Sequence, residues 1–287
     1  MYTSLEADVF MIIVRVLMRF PLVYVYGWPV TCMPLTEQLL LTLMKLKLNL
    51  KDLDLAHRFC ISPTTVANIF KTLTHALHEL FIDGIMNQYL PSVAKCQMSM
   101  PKSFEQFRQT RIIIDATEIT QDVPQDLNAQ SASYSSYKSR HTVKSVTAVA
   151  PNATLVYASP LYPGSASDNA ITNHCGILDK LAPGDMILAD KGFTLFKDLP
   201  AGVSLNIPPF LSGKAQFTKS EAVLSGNIAR ARIHVERANE RFKNFEILNH
   251  IPAHYRSLST KIYQVCAYLI NLQAPLLKEI SDNYSTV

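Results

Sequence analysis

The sequence predicts an α/β domain, a mixed sheet covered by helices, with a small all-α module ahead of it. Three observations predict it. Arg111-Ile112-Ile113-Ile114-Asp115 sets three β-branched residues before an aspartate, the pattern of a strand buried on both faces. Met186-Ile187-Leu188-Ala189-Asp190-Lys191-Gly192 repeats the short apolar run followed by Asp. Helical stripes then flank these runs, the longest through Ile228, Ala231, Val235, Ala238, Phe242 and Phe245.

The chain has 287 residues, 48% of them hydrophobic, enough for one sizeable core and a small extra module. A net charge of +4 permits a nucleic-acid partner without demanding one. Cys32, Cys60, Cys96, Cys175 and Cys266 are scattered, with no C-x-x-C pair. That argues against a zinc site and a disulfide framework, and fits a reducing compartment.

Residues 1–33 form an apolar segment with no clear assignment. Val9 to Val30 has the length of a membrane span, but Arg15 and Arg19 lie inside it and Pro21 interrupts it. Each arginine would cost roughly 2.5–3.5 kcal/mol at a bilayer centre. The expectation is a helix packed on the next module or a remnant of a longer protein, in preference to a membrane segment. Residues 34–82 read as three helices. Ser62 is a good N-cap and Pro63 suits the first helical position. The helix they open would bury Val66, Ile69, Leu73, Leu77 and Leu80. Its other face would show Thr64, Thr65, Asn68, Lys71, Thr72 and His75. A short turn before a polar second helix is the helix-turn-helix plan; a plain bundle with a solvated face fits the same pattern.

Residues 83–110 read as a linker with one short helix. The second domain is expected over 111–248. Within it, His141–Val149 and Leu155–Ser159 alternate as two strands joined at Pro151-Asn152. A helix capped by Ser167 or Asp168 is expected to run to about Leu181. Val203–Ile207 is a further short strand, and a long helix is expected from Lys219 to Phe245. Residues 249–287 form a helical C-terminal extension.

The acids carry the chemistry. A carboxylate at the end of a buried strand costs free energy unless it is paired or holds a metal. An Asp-capped surface turn is the competing reading for Asp115. A second strand-end aspartate, Asp190, and the helix residue Glu236 strengthen the functional reading. Glu236 sits on the shoulder of the buried stripe, sharing its face with Arg232, Asn239, Glu240 and Lys243. Ordinary ion pairing on a solvated face competes there. Two aspartates and one glutamate make a hard, all-oxygen set of the kind that takes Mg²⁺ or Mn²⁺.

Several blocks then carry a resemblance: Ile113-Ile114-Asp115-Ala116-Thr117-Glu118-Ile119; Tyr134 to Lys144; Pro163-Gly164-Ser165 to Asp168; Leu188-Ala189-Asp190-Lys191-Gly192-Phe193; and Arg232-Ile233-His234-Val235-Glu236-Arg237 with Lys243-Asn244-Phe245. In this order they resemble the DDE superfamily endonucleases of the Harbinger-type transposase group, over about residues 111–248. The helix-turn-helix ahead resembles the same group more loosely. The resemblance implies a ribonuclease-H-like fold, with the Asp115 and Asp190 strands side by side and the Glu236 helix packed across them. It implies that Asp115, Asp190 and Glu236 hold two divalent cations and support metal-dependent cleavage of double-stranded DNA, in the nucleus. Asp168 is a secondary candidate, to orient a ligand or cap its helix. Lys138, His141 and Lys144 match family positions. With Arg232, Arg237, Arg241, Lys243 and Lys71 they are the expected nucleic-acid contacts. Some relatives carry an upstream zinc-dependent DNA-binding module that residues 1–33 do not resemble, so a separate DNA-binding partner protein is expected. The rival is a transposase descendant that binds DNA or proteins without cutting.

Overall fold

The computed structural model describes residues 2–211, 213 and 216–277. In chain order its helices are α1 (Ala7–Leu17), α2 (Leu35–Leu48), α3 (Asp52–Phe59), α4 (Pro63–His78), α5 (Val93–Met98), α6 (Leu127–Ser133), α7 (Asp168–His174), α8 (Lys219–Lys243) and α9 (Ser259–Leu269). The strands are β1 (Thr110–Gln121), β2 (Tyr134–Ser135), β3 (Arg140–Val149), β4 (Leu155–Ala158), β5 (Tyr162–Pro163), β6 (Met186–Leu188), β7 (Ser204–Asn206) and β8 (His250–Ile251). Two compact units interleave along the sequence. One takes the chain up to Gln88, Ile119–Asp122 and Arg241–Ala274; the other takes Tyr89–Glu118, Val123–Glu240 and the chain from Pro275. The expected extension 249–287 thus supplies α9 to the first unit, and its last ten residues, 278–287, lie outside the described residues.

The first unit is helical. α1 buries Ile13, Val14 and Leu17 and packs on α2, as expected for the N-terminal segment. Leu39, Leu41, Leu43 and Leu46 of α2 are fully buried. Lys45 is buried among them and must be paired. Its Nζ lies 2.6 Å from Asp52 Oδ1 and donates to Leu50 O at 3.0 Å. Ser62 Oγ accepts from the Thr65 N–H at 3.0 Å, capping α4 with Pro63 at its first position. No helix among the described residues is long and apolar enough to cross a membrane.

The polar face of α4 corrects the sequence expectation. Asn68 and Thr72 are buried. Asn68 accepts from the Tyr26 N–H and donates to Trp28 O, each at 3.1 Å, and Thr72 Oγ1 accepts from the Val25 N–H at 3.0 Å. Residues 24–28 lie in no helix or strand, so their backbone groups need side-chain partners, and α4 provides them. Lys71 is taken up as well, donating to Tyr26 Oη at 3.1 Å. The start of α4, Ser62-Pro63-Thr64, stays exposed.

The second unit holds the sheet, in the order β2-β3-β1-β6-β7, with β4 and β5 also on β3. β1 pairs parallel with β6, and β6 parallel with β7; β4 and β5 run antiparallel to β3. Ile112, Ile113 and Ile114 are fully buried, as a strand covered on both faces requires. One face packs Ile112 and Ile114 with Val146, Ala148, Ile171, Ile187 and Phe193. α8, with Ile228, Ala231, Val235 and Ala238 buried, meets the other face, where Asn239 bonds Thr147 of β3. Gly164 lets the turn after β5 close on β3. A Cβ there would stand 2.1 Å from Thr142 Oγ1. α7 is shorter than expected. Ser167 caps it, but it ends at His174, because Gly176 takes a left-handed conformation (φ +81°) before a short turn at Leu178–Lys180. A mixed sheet in this order, with helices on both faces and a helical region ahead in the chain, is the ribonuclease-H-like arrangement.

Candidate active site

Strand register builds the site. Asp115 and Asp190 each follow the paired residues Ile113 and Leu188 by two positions, so parallel pairing delivers both to the same end of adjacent strands. Asp190 Oδ1 accepts from the Lys191 N–H at 2.7 Å. The loop beyond it is tied to the start of α7, where Asn169 donates to Thr194 Oγ1 at 2.8 Å and accepts from the Thr194 N–H at 2.9 Å.

α8 brings the third acid and a cation. Arg232 Nη1 lies 3.4 Å from Asp190 Oδ1; Nη2 lies 3.8 Å from Asp115 Oδ1 and 3.9 Å from Glu236 Oε1. Three acids separated by 75 and 46 positions therefore meet around one guanidinium. The Arg232 side chain is 12% exposed, whereas Asp190 and Glu236 keep more than half of theirs in solvent. Asp115 is oriented by a residue to which the sequence reading gave no role. Asn239 Nδ2 donates to Asp115 Oδ2 at 2.8 Å, and Asn239 Oδ1 accepts from Thr147 Oγ1 at 3.1 Å. The available signal was an amide on the Glu236 face of α8, one turn further on. Burial pushes the Asp115 carboxyl above its ordinary range. Arg232, the Ala116 N–H and Asn239 oppose the shift, and Asp190 adds to it.

Asp168 is elsewhere. Alternation along β1 turns Glu118 toward the face opposite Asp115. There Lys144 Nζ stands 3.1 Å from Asp168 Oδ1 and 3.5 Å from Glu118 Oε1, and donates to Ala166 O at 3.1 Å. Ser135 Oγ donates to Glu118 Oε1 at 3.0 Å. Lys144 is 16% and Glu118 9% exposed, so this charge is spent inside the protein.

The remaining expected nucleic-acid contacts have these surroundings. Lys138 is exposed, its Nζ 5.0 Å from the Tyr137 ring centre. His141 shares a 2.9 Å hydrogen bond with Ser133. Arg237 is exposed on a flank of α8 beside Arg230, Ile233 and His234. Arg241 and Lys243 belong to the first unit, where Arg241 donates to Ala274 O at 2.5 Å.

Among the described residues, no three Asp, Glu, His or Cys side chains stand as a ready coordination sphere. The donor set nonetheless fits a hard divalent ion. It is all carboxylate, it carries three negative charges against one positive, and a cationic group already stands at its centre.

A parallel strand pair delivering two aspartates to one helix glutamate defines a nuclease-like α/β domain. The family described as DDE superfamily endonuclease matches residues 114–271, just over half of the chain, and this chain belongs to it. The helix-turn-helix of DDE superfamily endonuclease matches residues 31–81. No curated protein and no solved structure matches the chain significantly.

Proposed function

We propose that the protein is a divalent-metal-dependent DNA endonuclease of the transposase type, acting on duplex DNA in the nucleus. The observation that carries the reading is the meeting of Asp115, Asp190 and Glu236 around one cation at the end of two parallel strands. These three side chains would hold Mg²⁺ or Mn²⁺. The chemistry supplied by such ions, when bound there, would be activation of water or a strand-end hydroxyl and stabilisation of the leaving oxygen of the phosphodiester.

The chain's own residues then have separate tasks. Asn239, locked by Thr147, keeps one Asp115 oxygen engaged and leaves the other facing the site. Asn169 holds the loop that presents Asp190. The exposed Asp190 and Glu236 face the solvent side, from which a phosphate backbone would arrive. Duplex engagement by the helical module would use the exposed start of α4, since recognition helices read DNA with their first residues and the middle of this helix is covered.

The test is nicking of supercoiled plasmid by purified protein in Mg²⁺. The wild type should nick and Asp190→Asn should not, with the fold intact by circular dichroism. Nicking by Asp190→Asn at the wild-type rate would overturn the assignment. A wild type that binds duplex DNA yet never cuts it in Mg²⁺ or Mn²⁺ would favour the non-cleaving descendant instead.

A further inference from the structure

Arg232 does not make the contacts of a structural ion pair. Arginine–carboxylate bridges that fix a fold make charge-assisted hydrogen bonds of about 2.7–2.9 Å, frequently two in parallel. Here the guanidinium stands 3.4–3.9 Å from three carboxylates, and only the longest kind of hydrogen bond, to Asp190 at 3.4 Å, is formed. Its Nε is buried and makes no hydrogen bond. Arg111 behaves differently, bonding tightly to Asp185 and donating to Pro91 O at 2.9 Å. Arg232 is thus shared among three acids from β1, the loop after β6 and α8, and locked to none of them. A single positive charge also leaves the three carboxylates undercompensated, so they still attract a cation.

We infer that Arg232 is an internal stand-in for the metal, holding the three carboxylates together before a divalent ion arrives and competing with that ion for them. This deepens the metal reading above and rests on it. Metal uptake would then be an exchange, in which the three carboxylates release the guanidinium as they take hold of the ion. Arg232 therefore sets how tightly the ion is held, and it keeps like charges from forcing the empty site apart. It acts through the acids and is a positioning residue.

The experiment is Mn²⁺ titration of the full chain without DNA, by calorimetry and by melting temperature, for the wild type, Arg232→Gln and Arg232→Lys. Arg232→Gln should melt lower than the wild type in chelator. It should bind Mn²⁺ at least about tenfold more tightly, as expected when one competing unit charge is removed from a partly screened site. Arg232→Lys keeps the charge and should stay near the wild type. Equal Mn²⁺ affinity in the wild type and Arg232→Gln would overturn the inference while leaving the metal site standing. Failure of all three proteins to take up Mn²⁺ would remove the metal reading and this inference with it. A second measurement does not depend on the folding of any variant. In wild-type protein the Arg232 Nε–H resonance should shift as Mg²⁺ is added. A resonance that stays in place while Mg²⁺ binds would overturn the exchange.

Discussion

The two faces of the sheet carry two acid sets, and they differ in how their charge is balanced. On the α8 face three carboxylates surround Arg232 at 3.4–3.9 Å, two of them largely in solvent. On the opposite face Lys144 meets two carboxylates at 3.1 and 3.5 Å and also a backbone carbonyl, and Ser135 caps one of the acids. The second set is the tighter one, its lysine hydrogen-bonded to a carbonyl and close to both acids, although Glu118 Oε2 is buried without a hydrogen bond. The first is looser and more open, with three acids to one cation and two of them more than half in solvent. An acid cluster alone does not make a functional site. On the reading proposed above, the ratio of acids to cations and the access of water would separate a site that exchanges its cation from one that keeps it.

Breaking the tighter set should give the largest effect on stability. Lys144→Met leaves Glu118 and Asp168 facing each other without a cation. We expect a loss of about 3 kcal/mol, the low end for breaking a buried pair, read from urea unfolding. A variant that stayed as stable as the wild type and took up Mn²⁺ on this face would erase the distinction. Loosening the open set should act on the ligand instead. Asn239→Ala frees the Asp115 carboxylate, and Mn²⁺ affinity should fall by about 10–100-fold, the usual cost of losing a residue that orients a metal ligand. Unchanged affinity would show that Asn239 serves packing alone.

An exposed pair in the helical unit calibrates the small end. Asp122 Oδ1 and His250 Nε2 are 2.8 Å apart, with the Ala253 N–H donating to the other oxygen at 2.7 Å. These bonds hold the Asp122 carboxyl below its usual range. A depressed carboxyl contributes stability above its unfolded value and loses it as pH falls through the folded one. Asp122→Asn should therefore lower the urea midpoint slightly at neutral pH, and the difference from the wild type should vanish in acid. A difference that persisted in acid would mean that the bonds, not the charge, matter.

Much of this was legible from the residues. Two short apolar runs ending in Asp point to β1 and β6, because successive apolar side chains suit a strand buried on both faces. Ser62-Pro63 marks the start of α4 because capping chemistry is local. Asp115 and Asp190 stand out because each follows an apolar run, and Glu236 because it borders the buried stripe of α8; their role as metal ligands is what the resemblance implies. What escaped depends on tertiary contacts. The middle of α4 reads as a polar, exposed face, yet residues 24–28 cover it, and nothing near Asn68 announces a partner some forty positions away. α7 reads as running to Leu181, but Gly176 stops it. Asp168 matches a family block, yet the alternation of β1 and the position of α7 put it with Lys144 on the other face. Arg232 reads as a surface cation on a helix, since periodicity gives a face without saying what that face meets.

The most direct test of the account is a crystal soaked in Mn²⁺ and measured for anomalous scattering. Density is expected among the carboxylates of Asp115, Asp190 and Glu236, with the Arg232 guanidinium moved away, and none beside Glu118 and Asp168. An occupied Lys144 face, or a saturating soak that leaves the three acids around Arg232 unchanged, would contradict it.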